Sequence, residues 1–471
     1  MALNRHERRR QARAEGRAHR SQATESATAI RLQTLRQQMS HAYHGDRFAE
    51  ALAFGGAMLK LTPQDPQLLG MMALIAARLG QNEEALAHLR AERRVLDRVA
   101  GNPQSYRGLC GLLIQLGQAD EAEAALTHAL SKWPDEAVLN AQYATLLWDG
   151  QRLDAAARHA EAAVAHAPGD AEIWRLLGAI SLSRGDPARA AEAYGQAATL
   201  APDGDDIAHV QGVSLLASGR PQEALEVCDA WLARRPVDIE VLALKGHALQ
   251  EAGRIEEARR LFDFDRFVTG RTIGVPEEYP DLDAFNAALE AHVMAHPTLL
   301  TPPEGDPKYH HPALKISADL LADAPGPVAA LEREMRRAVD DYFAALGEDA
   351  GHPFVAQRPA RYKLYAWAAV LDRQGNQHQH IHKDGYLSGC YYLRVPQEVS
   401  AADNGAGGDI AGGFEVGRPP DEYGCRQPQM TRQYRPQEGL MLLFPAYFYH
   451  RTIPFTSSQR RICIAFDVMP A

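Results

Sequence analysis

In the segment NQHQHIHKDGYLSGCYYL, residues 376–393, four polar side chains share one parity: His378, His380, His382 and Asp384. Residues two apart in an extended strand point to the same face, so these groups would converge on one side. Imidazoles and a carboxylate aligned in this way can place two ligands on one edge of a metal ion. A third ligand must come from another segment, and GLMLLFPAYFYHRTIPF supplies His450, 68 residues after His382. The set His382-x-Asp384…His450 has the make-up of the 2-His-1-carboxylate facial triad that holds ferrous iron. Such a triad leaves open positions for a bidentate 2-oxo acid and O₂.

Two readings of the third ligand stand. Asp384 completes the facial triad, yet it falls in a KDGY stretch where Asp is also favoured by turn geometry. In that reading His378 and His380 stand behind the ligands or face solvent. The alternative takes His380 as the ligand and gives a three-histidine, cupin-like site. Eleven residues beyond His450, Arg461 begins the run RICIAFDV. A guanidinium matches the distal carboxylate of 2-oxoglutarate with two parallel hydrogen bonds; Arg460 is the rival anchor. The neighbours of Arg461 on its own face, Cys463 and Ala465, are small and leave room for a ligand. Ile462, Ile464 and Phe466 form an apolar opposite face. Tyr365 and Tyr392, with Trp367 and Ser388, are candidates to line the pocket, although aromatic residues also fill barrel cores for packing alone.

The elements that must position these groups can be read from the rest of the chain. At 471 residues it is too long for one ordinary core, and 46% apolar with 23% charged residues is a globular composition. No apolar stretch approaches the ~18 residues of a membrane span, and the N-terminus lacks the apolar core of a secretory signal. Five scattered cysteines without CxxC spacing argue against a disulfide framework and for a reducing, cytoplasmic setting. Residues 1–27 form a basic arm: seven arginines against two glutamates in the first twenty residues make a local +5, leaving about −15 for the remainder. Such an arm could touch nucleic acid or the ribosome. It lacks aromatic residues to stack on bases, so a solvated terminus is the favoured reading.

Glycine recurs at Gly117, Gly150, Gly185, Gly219 and Gly253, with alanine five residues after each and proline at Pro134, Pro168, Pro202 and Pro236. Gly45 and Gly80 hold the turns of two looser units. This 34-residue grammar resembles the tetratricopeptide repeat and implies about seven helix pairs over residues 28–268. Glycine permits the reversal between antiparallel helices, alanine their close approach, and proline a fresh start. No pair can bury its apolar face alone, so stacking is obligatory and yields a groove suited to a protein or peptide partner.

Residues 269–280 read as a linker and 281–471 as a second domain. LDAFNAALEAHVMAH and Pro327–Leu346 read as helices, separated by a loop rich in proline at Pro302, Pro303 and Pro307. Then come β-rich runs: RYKLYAWAAVL, YLSGCYYLRV, GLMLLFPAYFYH and RRICIAFDV. Turn-rich segments such as 403–408 separate them, and Gly412-Gly413 fits another strand start. Short strands braced by helices suggest a double-stranded β-helix, or jelly roll. The overall expectation is an all-α repeat solenoid followed by a jelly-roll domain.

Together HIHKDGYLSGCYYL, GLMLLFPAYFYH and RTIPF…RRICIAFDV resemble, over residues 360–468, the 2-oxoglutarate/Fe(II) oxygenase family found fused to such repeat arrays. The resemblance implies a jelly roll, His382 and His450 as iron ligands, and Arg461 as cosubstrate anchor. It implies Fe(II), 2-oxoglutarate and O₂ as cofactors, with ascorbate as a candidate reductant, and hydroxylation of a protein or peptide held by the array. A rival reading is an adaptor whose jelly roll is catalytically degenerate. Another keeps the metal without the 2-oxo acid, as in cupin-type dioxygenases.

Overall fold

The computed structural model describes residues 26–98, 101–300, 313–316, 319–322, 326–371, 374–401 and 409–471. The basic arm up to residue 25, the loop around Pro302, Pro303 and Pro307, and the turn at 403–408 lie outside the described residues. The chain divides into two compact units, residues 1–185 and 186–471.

Between residue 26 and Leu261 the described helices fall, in sequence, into seven consecutive pairs, from 26–44 with Phe48–Leu59 to Ile239–Glu251 with Ile255–Leu261. The residue that reverses the chain inside a pair takes the left-handed conformation: Gly80, Gly117, Gly185, Gly219 and Gly253 have φ between 71° and 78°. In two pairs the expected glycine is one residue early. Asp46 and Gln151, not Gly45 and Gly150, carry the positive φ, at 55° and 57°. This restores a strict 34-residue interval from Gly117 through Gln151 to Gly185. Five residues past each left-handed position an alanine is wholly buried: Ala51, Ala85, Ala122, Ala156, Ala190, Ala224 and Ala258. Ala156 therefore takes the place expected of Ala155. In the pairs that lie within one unit, a larger side chain there would push the two helices apart.

The first unit holds a buried carboxyl without a charged neighbour to offset it. Glu92, on helix Asn82–Leu96, is 3% exposed, and its Oε2 lacks a hydrogen-bond partner among the described residues. It faces Gly70 of helix Pro66–Arg78, where an added Cβ would come within 2.9 Å of Oε1. Burial pushes this carboxyl up to about 8.

The second unit contains helices from Pro187–Leu200 onward and two antiparallel sheets. Its strands are β1 (Thr269–Thr272), β2 (Leu299–Leu300), β3 (Ala313–Ile316), β4 (Tyr362–Leu371), β5 (Gln374–His380), β6 (Leu387–Arg394), β7 (Phe414–Val416), β8 (Arg432–Tyr434), β9 (Leu440–Pro445), β10 (His450–Thr456) and β11 (Arg461–Pro470). The larger sheet has the order β1-β9-β6-β11-β4-β3-β2 and the smaller β5-β10-β7-β8. From β4 to β7, and again from β8 to β11, successive strands alternate between sheets, as in a double-stranded β-helix. The stretch expected as a linker opens with β1, which pairs with β9. The expected run GLMLLFPAYFYH is split: β9 ends at Pro445, a turn follows, and β10 starts at His450. Helices Leu282–Met294 and Pro327–Leu346 occur where expected, and Asn286 of the first accepts a hydrogen bond from the Tyr391 hydroxyl of β6 at 2.6 Å.

Glu92 gives this description a measurable consequence. The carboxyl keeps its proton up to about pH 8 in the fold, against 4.5 unfolded. Its contribution is therefore fully favourable below pH 4.5 and is lost as pH rises toward 8. Glu92→Gln should match the parent in denaturation midpoint at pH 5 and exceed it at pH 8 by about 2–4 kcal/mol. A difference that does not change between these two pH values would contradict the assignment.

Candidate metal centre

In the smaller sheet β5 and β10 run antiparallel with His380 directly opposite His450. Their rings lie 4.3 Å apart between centroids. β5 then ends. The chain bends through Ile381, and the Gly385 N–H closes a turn onto the His382 carbonyl at 3.2 Å. This bend carries the His382 ring to 4.9 Å from His450 and 5.3 Å from His380. One ligand atom from each of His380, His382 and His450 lies within 4.8 Å of the others, and these three could hold a metal ion.

The polar partners behind the rings fix their tautomers. Nδ1 of His380 meets the His378 carbonyl at 2.7 Å, and Nδ1 of His450 meets the Phe448 carbonyl at 3.1 Å. Nδ1 of His382 meets Oδ1 of Asp467 at 2.6 Å. Carbonyls and carboxylates only accept, so in each neutral ring the proton belongs on Nδ1 and the lone pair on Nε2. Three imidazoles tethered this way are pre-set to ligate through Nε2. The donor set is neutral and nitrogen-only, which suits iron among other first-row metals.

Asp384 is not brought into this group. The parity that would aim it at the ions holds only while the chain is extended, and β5 stops at His380. Asp384 falls in the turn closed by Gly385 and is exposed, although it lines the same cavity. His380, expected behind the ligands if Asp384 coordinated, occupies the third position.

Arg461 opens β11 with 2% exposure and Tyr392 on β6 is fully buried. The guanidinium carbon lies 5.1 Å from the centre of the Tyr392 ring. Arg461 Nε and the Tyr392 hydroxyl both lack a hydrogen-bond partner among the described residues. Burial holds the Tyr392 phenol well above its usual range, so it remains an O–H donor. On the same two strands Cys390 and Cys463 are buried; burial pushes the Cys390 thiol up to about 12 and raises Cys463 also, leaving both as small neutral groups.

A cavity of about 800 Å³ opens beside this group, lined by His380 and His382. Tyr365 and Trp367 of β4 line it, their ring centroids 5.9 Å apart, and Trp367 lies 5.3 Å from the His382 ring. Neither Arg461 nor Tyr392 belongs to this wall; they are enclosed in the sheet interior. Sequence reasoning missed several cavity residues, Asp467 and Glu240 among them. Asp467 shares its face of β11 with Arg461, Cys463 and Ala465, a signal available had that alternation been followed two residues further. Glu240 comes from helix Ile239–Glu251 and pairs with Lys383 at 2.6 Å. No local pattern announces that contact. Ser388, expected only to line the pocket, hydrogen-bonds Asp467 Oδ1 at 2.7 Å.

The family model described as "Putative 2OG-Fe(II) oxygenase" matches residues 365–467, which hold β5, β6, β10 and all three histidines. A tetratricopeptide-repeat model matches residues 113–180, 181–247 and 215–263. The chain thus carries a match to tetratricopeptide repeats followed by a match to the model described as "Putative 2OG-Fe(II) oxygenase". No curated protein matches the sequence. Among solved structures it is similar to MamA from Desulfovibrio magneticus, at 18% identity and TM-score 0.33 over 37% of this chain and 97% of that one. It is similar also to a tetratricopeptide repeat protein from Parabacteroides merdae, at 14% identity and TM-score 0.37 over 53% of this chain and 95% of that one. Among the described residues no helix is long and apolar enough to cross a membrane.

The ligand set is testable by metal titration. His380→Ala, His382→Ala and His450→Ala should each abolish stoichiometric binding of Fe(II) or Co(II), and Asp384→Ala should leave it intact. Loss of the metal in Asp384→Ala with retention in His380→Ala would restore the carboxylate ligand.

Proposed function

We propose that this protein is an Fe(II)- and 2-oxoglutarate-dependent dioxygenase that hydroxylates a side chain of a protein or peptide held by its repeat array. The observation that carries the reading is the convergence of His380, His382 and His450, the first two of which line one cavity. The buried, unpartnered Nε of Arg461 and hydroxyl of Tyr392 fit the second requirement, a bed for a dicarboxylic acid. A buried guanidinium without an anion is costly, and a carboxylate ligand would relieve it. With iron, 2-oxoglutarate and O₂ bound, the centre supplies oxidation of a C–H bond to C–OH, coupled to conversion of the cosubstrate to succinate and CO₂.

The chain's own residues bind, orient and exclude water. Arg461 and Tyr392 grip the distal carboxylate. Cys390, Cys463 and Ala465 leave room beside them. Phe414 and Phe444, with ring centroids 5.5 and 4.7 Å from His450, keep that ligand dry. Trp367 shields His382, and Tyr365 faces the incoming substrate. Peptide capture is supported by Glu240, because the last long repeat helix contributes it directly to the cavity wall. Ascorbate would serve as external reductant, and five free cysteines suit a cytoplasmic setting.

A three-histidine set also suits dioxygenases that take no 2-oxo acid, so the cosubstrate needs its own test. Purified protein with Fe(II), ascorbate and 2-oxoglutarate should release succinate, and faster with a captured partner that gains the mass of one oxygen. Arg461→Ala should raise the KM for 2-oxoglutarate about 100-fold, the scale of a lost charge-assisted pair. Turnover that is indifferent to 2-oxoglutarate and to Arg461 would exclude this reading and favour the other.

A further inference from the structure

The three imidazoles are not equivalent. Nδ1 of His380 and of His450 meets a backbone carbonyl, whereas Nδ1 of His382 meets a carboxylate. Asp467 lies opposite Ser388 in the ladder between β11 and β6, so their side chains emerge side by side. The Ser388 hydroxyl gives its hydrogen to Asp467 Oδ1 at 2.7 Å, and the His382 Nδ1–H reaches the same oxygen at 2.6 Å. Ser388 Oγ is also 3.0 Å from Nδ1. Two donors thus converge on one oxygen, an arrangement that an anionic oxygen satisfies best. The side chains of His382 and Asp467 are only 8% and 14% exposed, so little water weakens the pair.

We propose that Asp467 is the positioning residue of the metal centre, supplying through His382 the negative charge that no carboxylate supplies directly to the ion. This rests on the metal-centre reading above. Three neutral imidazoles leave the full charge of a divalent ion uncompensated by its ligands. An Nδ1–H held by a carboxylate makes the imidazole a more basic, more anionic ligand and fixes its ring orientation. Asp384 is exposed in the turn, and the Nδ1 atoms of the other two histidines meet backbone carbonyls. Ser388 orients Asp467 from the other side. His382 is therefore the strongest of the three donors, and the carboxylate of a facial triad is displaced here by one residue, from the ion to its ligand.

Asp467→Asn separates charge from shape, since the amide can still accept from Nδ1 but carries no charge. Co(II) serves as the probe, titrated into the full chain against a competing chelator, with its visible d–d absorption recorded. The parent chain should bind one Co(II). Asp467→Asn should bind it about 10–100-fold more weakly with a shifted spectrum, while the metal-free thermal midpoint stays unchanged. Asp467→Glu should recover part of the affinity. If Asp467→Asn does not fold, Ser388→Ala carries the test and should weaken Co(II) severalfold. Parent-like affinity and spectrum in Asp467→Asn, or in Ser388→Ala where that variant stands in, would overturn the role of Asp467 and leave the three-histidine centre standing. Failure of the parent itself to take up Co(II) would overturn both.

Discussion

Everything at the metal centre depends on one register, the pairing of His380 with His450 across β5 and β10. Side chains alternate faces along a strand, so a slip of one residue would turn one imidazole out of the sheet and abolish the site. The register is reinforced from β7, on the other side of β10, where Val416 faces His450 and Glu415 faces Arg451. Glu415 is wholly buried and accepts from both Arg418 and Arg451. Burial alone would raise this carboxyl, but the hydrogen bonds from the two guanidiniums outweigh it and hold it below the usual range. A buried ion pair adds little to net stability, yet breaking it leaves a charge uncompensated. It therefore penalises a shifted β10 much more than it rewards the correct one. The neighbour of His450 in the sequence, Arg451, thus acts as the pin that holds that strand in register.

How much of this was legible in the sequence differs by element. The repeat array was readable because its marks recur with a period, and the helix pairs appear where the period puts them. The two misplacements, at Gly45 and Gly150, have one cause. The position needing a left-handed residue is set by the 34-residue interval, and glycine beside it is only a frequent companion. Asp46 and Gln151 accept that conformation themselves, at a cost that stacking on neighbouring helices covers. The strands were readable from composition. Where they ended was not, and that uncertainty decided the third imidazole. Parity places His378, His380, His382 and Asp384 on one face only if extension persists, whereas His382 reaches the centre by a bend.

What remained hidden was non-local. Arg461 was legible as an inward cation in a strand with small neighbours, and it is buried in β11. Asp467 carries no local signal of its role; only the pairing of β11 with β6 brings Ser388 beside it. Nothing around Glu240 in the sequence marks it as part of a cavity 140 residues further along the chain.

That last contact changes how the repeats relate to the oxygenase domain. The loop between β7 and β8 runs along the final repeats: Arg426 and Gln427 give their backbone N–H groups to the Glu251 carboxylate at 3.0 and 2.8 Å, and Met430 N–H reaches Gln250 Oε1 at 2.6 Å. Gly424, at φ 59°, lies where an added Cβ would stand 3.0 Å from the Ala217 backbone. His247, fully buried and held down to about 4 by burial, meets Gln429 at 2.9 Å and packs its ring against Tyr423 and Tyr449. Tyr449 precedes His450, and Tyr423 bonds both Tyr449 and His209. These contacts lie within one compact unit and combine an exposed polar rim at Glu251 with a buried core of His247, Tyr423 and Tyr449. The last repeats therefore contribute to the wall of the cavity, and a segment bound along them would already be at its mouth.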